Sequence, residues 1–139
     1  MKIRTAEKKD FEEVINLVRK LYGEKNLKKI HKNWGKEYLK LLKDIFVLKE
    51  DNKIVAYISI DKNENSIYIA DLYVLSEYRR KRIATKLIDY VEQIRRKNHK
   101  KYLRVDVRRK DKLAVKFYKK LNFVILEPKD KNKSWRLIR

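Results

Sequence analysis

The sequence predicts a mixed α/β domain, a mixed sheet with helices on both faces, in the order β-α-α-β-β-β-α-β-α-β-β. Three observations predict it. Some stretches place apolar residues three and four apart, while others hold short continuous apolar runs. Turn chemistry bounds those runs, as in Glu50-Asp51-Asn52-Lys53 and Asp61 to Ser66. No repeat, linker or low-complexity tract breaks the alternation, so residues 1–139 are expected to form one domain. A chain of this length buries roughly 68% of its unfolded surface, enough for a core without disulfides or metals.

Ile3 centres a first short strand, and Asp10-Phe11-Glu12-Glu13 opens a helix. Phe11, Val14, Ile15, Val18, Leu21 and Tyr22 share its apolar face, and Gly23 is its expected stop. A second helix is predicted from about Leu27 to Leu42, with Ile30, Trp34, Tyr38, Leu41 and Leu42 on one face and Gly35 weakening its middle. From Ile45 the pattern changes to strands. These are Ile45–Leu48, then Ile54–Ile60, which is dense enough to be buried on both faces, then Ile67–Leu75. A helix follows to about Lys97, striped by Ile83, Leu87, Val91 and Ile94. Tyr102–Val107 is a strand, and Asp111 is placed to cap a helix carrying Ala114, Phe117, Tyr118 and Leu121. Asn122 can take the left-handed conformation at its end. Phe123–Leu126 and Trp135–Ile138 are the last strands, separated by Pro128 and a polar loop from Lys129 to Lys133.

Composition excludes several chemistries. The chain has no cysteine, which rules out a disulfide scaffold, a thiolate metal site and a cysteine nucleophile. His31 and His99 stand far apart among lysines and read as surface side chains, and no metal-ligand cluster is visible. The N-terminus MKIRTAEKKDF lacks an apolar signal region, and no apolar run approaches the ~18 residues of a membrane span. A soluble, cytoplasmic protein with no membrane partner is expected, as a monomer or homodimer.

Charge is the unusual feature. Lys and Arg number 39 against 19 Asp and Glu, a net charge of +20. Residues 79 to 120 alone hold 18 Lys or Arg and 4 Asp or Glu. A Lys-rich, Ile-rich composition fits a heat-adapted surface of ion pairs. A polyanionic partner, nucleic acid or the ribosome, is the other reading.

The basic segment begins at the stretch LYVLSEYRRKRIATKLI, residues 72 to 88. It reads as the end of a buried strand, a short turn holding Arg79, Arg80, Lys81 and Arg82, and the start of an amphipathic helix. Such a junction points unpaired backbone N–H groups and the positive helix end outward, which suits a phosphate.

Two local motifs resemble the GNAT superfamily of N-acetyltransferases, and the element order is similar over essentially the whole chain. The superfamily's acyl-CoA turn, Q/R-x-x-G-x-G/A after a strand ending like LYV, is matched by DLYVLSEYRRKRIATKLI, with Arg79 at the Q/R position and Ala84 at the final one. The pattern N-x-x-A-x-x-x-Y-x-x-x-G-F is matched by DKLAVKFYKKLNF through Ala114, Tyr118 and Phe123. Arg82 stands where the family usually has Gly. A left-handed backbone there would cost on the order of 1 kcal/mol or more with Arg, whereas a right-handed one at the start of the helix would spare that cost. Arg80 is a milder change. Asp111 replaces Asn, and Asn122 replaces Gly at little cost.

The resemblance implies transfer of an acetyl group from acetyl-CoA to an amine: a protein N-terminus, a lysine or a small amine. It implies that pantetheine runs along the backbone of Leu72, Tyr73 and Val74, with the facing strand near Leu103 to Val107. It implies pyrophosphate on the N–H groups from Arg80 through Lys81, Arg82, Ile83 and Ala84 to Thr85, with the Thr85 hydroxyl as a further donor. It implies that Asp111 borders the same cofactor. Tyr118 matches the family's general-acid tyrosine; its alternative role is packing beside Phe117 and Ala114. No general base is evident. Relatives place a Glu where this chain has Tyr68 or Ala70. Asp71 is the nearest acid and reads better as a satisfied carboxylate, while Glu24 could line an acceptor site. Trp34, Tyr38 and Tyr22 could line an acceptor pocket between the first helices and the sheet, but read better as core or rim. A second function remains open beside the enzyme, that of a catalytically weak member of the fold binding nucleic acid or ribosome through residues 79–120.

Overall fold

A computed structural model of the protein describes residues 2–23, 44–126 and 134–139. Within them run β1 (Lys2–Thr5), α1 (Phe11–Tyr22), β2 (Ile45–Glu50), β3 (Lys53–Lys62), β4 (Ser66–Val74), α2 (Ile83–Lys97), β5 (Tyr102–Arg108), α3 (Lys112–Lys120), β6 (Val124–Leu126) and β7 (Ser134–Ile138). The strands join in one mixed sheet of order β1-β2-β3-β4-β5-β7-β6. The helix predicted over 27–42 and the loop predicted over 129–133 lie outside the described residues, as do Glu24, His31, Trp34 and Tyr38.

The chain divides into two compact units. The first comprises Met1–Ser59 and Asp71–Tyr90. There β1 pairs antiparallel with β2, with Ile3 opposite Leu48, and β2 pairs antiparallel with β3. Asp51 and Asn52 connect β2 to β3 with φ of 53° and 62°, the double left-handed geometry of a type I′ hairpin, which Asp and Asn tolerate. From Ile54 to Ile58 every residue of β3 is buried, as its unbroken apolar run predicts. Val14, Ile15, Leu17 and Val18 are the buried face of α1, which stops at Gly23 with φ of 85°.

Asp10 does not cap α1 as its position suggests. Its carboxylate is buried, accepts the Glu7 N–H at 2.7 Å, and takes two hydrogen bonds from the Arg4 guanidinium at 2.7 and 2.9 Å. A fixed bidentate cation competes better for a buried carboxylate than the loose donors of a helix start. Those bonds to Arg4 hold the Asp10 carboxyl below its usual range.

The second unit comprises Ile60–Ala70 and Val91–Arg139. Here β4 pairs in parallel with β5 from Ser66–Tyr102 to Ile69–Val105, and β7 pairs antiparallel with both β5 and β6. The Asp111 side chain accepts the Ala114 N–H at 3.0 Å, so the predicted cap of α3 is present. Asn122 ends that helix at φ of 70°, also as predicted. Of α2, Ile83, Leu87 and Ile88 belong to the first unit and are buried; Val91 and Ile94 belong to the second, buried and half-buried. Each fully buried Leu or Ile contributes roughly 1.5–3 kcal/mol.

Candidate active site

In the first unit, β4 runs past the end of its ladder with β5 as far as Val74. The chain then makes a short turn at residues 76–78, anchored by Tyr78. Tyr78 is buried, and its hydroxyl donates to Asp51 Oδ2 at 2.9 Å, tying the turn to the β2–β3 hairpin. The Lys53 and Lys81 ammonium groups lie 5.3 and 5.2 Å from the centre of its ring. Arg79 reaches back from the turn: its Nε donates to the Val74 carbonyl at 2.9 Å, and its guanidinium lies 5.3 Å from the Tyr73 ring centre. The Leu75 N–H donates to the Val55 carbonyl at 2.8 Å. The Val74 carbonyl is therefore already engaged, which leaves Leu72 and Tyr73 as the half-exposed residues at this strand end.

Beyond Arg79 the backbone alternates. Arg79 is extended, Arg80 is left-handed at φ 65°, Lys81 is not at positive φ, Arg82 is left-handed at φ 62°, and Ile83 begins α2. Arg82 is therefore not in the right-handed alternative that its place at the helix entry allowed. Its backbone takes the conformation that a glycine would take, and Arg80, expected to be a mild change, does the same. Each such residue costs about 1–2 kcal/mol with a Cβ present. Alternating hands turn successive N–H groups toward one side, the geometry of an anion-binding nest. The Arg79 N–H donates to Ser76, and the next bonded donor is the Lys86 N–H, to Arg82. Among the described residues, no protein acceptor takes the N–H groups of residues 80 to 85. The side chains of Arg80, Lys81 and Arg82 are exposed, Ile83 is buried, and Ala84 and Thr85 are half-buried. The junction therefore brings together outward N–H groups, a helix start and cationic side chains. That combination suits a multiply charged oxyanion.

Asp71, just before this stretch, accepts hydrogen bonds from two tyrosine hydroxyls: Tyr57 at 3.2 Å, and Tyr22 at the end of α1. Its carboxylate thus links α1, β3 and β4. Burial, with the charge of Asp71, pushes the Tyr57 phenol well above its ordinary pKa. Tyr22 is 42% exposed, a rim residue as expected.

In the second unit, Tyr118 is buried on α3. Its ring meets Phe117 and Phe123 edge-on, with centres 5.1 and 5.2 Å apart. Its hydroxyl has no hydrogen-bond partner among the described residues. Burial first, then the negative charge of Asp111, pushes the phenol well above its usual pKa and keeps it protonated. Asp111 is exposed, and its Oδ1 is committed to the helix cap. Of the positions where relatives carry a Glu, Ala70 is exposed, and Tyr68 lies under the Arg104 guanidinium at 4.9 Å. His99 is exposed at the end of α2. Among the described residues no group of His, Asp and Glu is placed to hold a metal, and no helix is long and apolar enough to cross a membrane.

The model of the acetyltransferase (GNAT) family matches residues 9–123. The chain belongs to that family. The GNAT domain thus contains both the turn at 79–85 and Tyr118, and the family uses acetyl-CoA as cosubstrate. Comparison with curated proteins gave no match. Among solved structures, the chain is similar to a PaiA N-acetyltransferase from Thermoplasma acidophilum in complex with coenzyme A. The two are 21% identical with a TM-score of 0.84, covering 99% of this chain and 97% of that one. It is also similar to Ard1 from Thermoplasma volcanium, at 22% identity and a TM-score of 0.76, covering 99% and 95%. A third is the ribosomal-protein-S18-alanine N-acetyltransferase from Escherichia coli, at 18% identity and 0.73, covering 99% and 90%. At these identities the likeness is one of fold.

Sequence reasoning missed the Arg79–Val74 brace and the tyrosine pair on Asp71. Nothing in the spacing marks an Arg side chain that turns back on its own strand. Two Tyr and one Asp on three separate elements leave no local signature either.

Proposed function

We propose that this GNAT domain transfers the acetyl group of acetyl-CoA to a primary amine by direct attack. The observation that carries the reading is the row of unpartnered N–H groups from Arg80 to Thr85, set on left-handed arginines in a chain of this family. Those N–H groups and the Thr85 hydroxyl take the pyrophosphate. Arg80, Lys81 and Arg82 supply screening charge around it. Arg82 thus adds a cation where a glycine would add none, without altering the backbone hand. The free edge of Leu72 and Tyr73 holds the pantetheine arm, while Arg79 locks the strand end through Val74.

Acetyl-CoA supplies an activated acyl carbon, to which the amine nitrogen bonds as the C–S bond breaks. The amine gives up one proton and the departing sulfur gains one. The Tyr118 hydroxyl, protonated at neutral pH and at the position of the family motif's tyrosine, is the group that donates to the sulfur. Asp71 is engaged by Tyr22 and Tyr57 and serves as a structural carboxylate, so the amine proton leaves through water. The acceptor is a protein N-terminus, a lysine or a small amine. The net charge of +20 disfavours a strongly cationic acceptor such as a polyamine.

The test is thiol release from acetyl-CoA with a panel of peptides and amines. Release that requires an amine and falls with Tyr118→Phe supports the proposal. Absence of acetyl-CoA binding at moderate salt overturns it.

A further inference from the structure

The side of α3 turned away from Tyr118 forms one wall of an open groove of about 710 Å³ in the second unit. Lys112, Lys116 and Lys119 line it at helical spacing, and Lys120 adds a further cation. Its floor is apolar, made by Val115, Ile125 of β6 and Trp135 of β7. The Arg109 guanidinium lies over the Trp135 ring, 4.0 Å from its centre. No carboxylate is among the described lining residues. This groove shares no residue with the turn at 79–85 or with Tyr118, and acetyl transfer gives it no task.

We propose that the groove binds single-stranded nucleic acid, with phosphates along the lysine row and a base against the Trp135–Arg109 pair. Two independent features converge on that ligand. A row of cations with no acid among the described lining residues matches a polyanion, and an aromatic ring with a guanidinium over it is a stacking platform for a planar base. An acidic polypeptide would satisfy the lysines but would leave the indole and apolar floor without a matching group. A second copy of the chain would set one lysine row against another. The excess of Lys and Arg across residues 79 to 120 extends the same field along the chain and favours capture of a polyanion. The proposal does not rest on the acetyl-transfer reading.

The experiment is fluorescence anisotropy of a labelled single-stranded RNA of about a dozen nucleotides, on the full chain, at several salt concentrations. Tryptophan emission is followed in parallel, and the Trp135→Leu variant assigns the part that comes from Trp135 rather than Trp34. Wild-type protein is expected to bind with affinity that falls steeply with salt. Lys116→Glu with Lys119→Glu should weaken binding more than tenfold and flatten the salt slope by about 0.7 for each lysine lost. Lys2→Glu with Lys62→Glu, the same charge change on exposed residues elsewhere, should weaken it less than about threefold. Trp135→Leu should weaken binding at least fivefold and remove the emission change, while Trp135→Phe keeps most of the affinity. The lysine and tryptophan variants should keep the far-UV circular dichroism and cooperative urea unfolding of the wild type, which shows that they are folded.

Equal losses for the groove pair and the control pair would overturn the proposal. So would an unchanged affinity in Trp135→Leu. Poly-glutamate that competes as well as RNA and moves Trp135 emission equally would assign the groove to a protein partner instead.

Discussion

Arg79 Nε donates to the Val74 carbonyl at 2.9 Å, so the side chain that opens the basic turn closes back on the strand feeding it. The bond fixes the angle between the end of β4 and the N–H row that follows. A charge-assisted hydrogen bond, discounted for an exposed guanidinium, contributes about 1 kcal/mol. Arg79→Ala should therefore lower unfolding stability by about that much in chemical denaturation. It should also weaken acetyl-CoA binding several-fold by loosening the turn. Unchanged binding would show that the brace does not position the site.

The left-handed arginines give a second prediction. Gly at position 82 removes the strain but adds unfolded-chain entropy, so Arg82→Gly should change stability by less than about 1 kcal/mol. Arg82→Val places a branched side chain at φ 62° and should destabilise by about 1–2 kcal/mol. Arg82→Gly keeps the N–H row while losing one cation. Acetyl-CoA binding should weaken modestly, with a smaller salt dependence. Tighter binding by the glycine variant would mean that Arg82 obstructs the turn.

How far the site was legible follows from these residues. The elements within the described residues, the Asp111 cap and the Asn122 stop could be read because each rests on local chemistry within a few residues. The position of the turn was legible for the same reason. Its hand was not: an arginine beside a helix prefers the right-handed region, and only the anchored framework of Tyr78 and Arg79 imposes the other. Asp10 opens the helix as read, but its partner was not legible: its carboxylate is taken by Arg4 of β1 and not by the helix start. Asp71 was read correctly as a satisfied carboxylate, but its partners, Tyr22 and Tyr57, come from elements distant in sequence.

Tyr118→Phe removes a hydroxyl that makes no protein hydrogen bond among the described residues and keeps a ring wedged between Phe117 and Phe123. Stability should stay within about 0.5 kcal/mol. The turnover number should fall by about 100-fold, with little change in the KM for acetyl-CoA. A loss confined to KM would assign the hydroxyl to binding rather than proton donation.

The buried phenols also set an alkaline limit. Tyr57 and Tyr118 keep their protons in the folded chain, while their unfolded counterparts ionise near pH 10. Above that pH the unfolded state binds fewer protons, so stability falls as pH rises. Tyr118→Phe should show a shallower decline above pH 10, measured by urea unfolding.

At the acid end the sign reverses for Asp10. Its carboxyl is held low by Arg4, so the stabilisation is present above the ordinary carboxylate pKa near 4 and is lost as pH falls through the lower folded value. Asp10→Asn should cost about 2 kcal/mol at pH 7, because it leaves Arg4 without its charge partner. That difference should shrink below about pH 4. A pH-independent cost would mean that Asp10 acts through packing alone.

The most direct test of the central claim is an amide-resolved NMR titration of the full chain with acetyl-CoA. The account predicts that the backbone N–H resonances of Arg80 to Thr85 shift downfield and saturate together as the pyrophosphate takes their hydrogens. Saturable binding with those amides unmoved would contradict it.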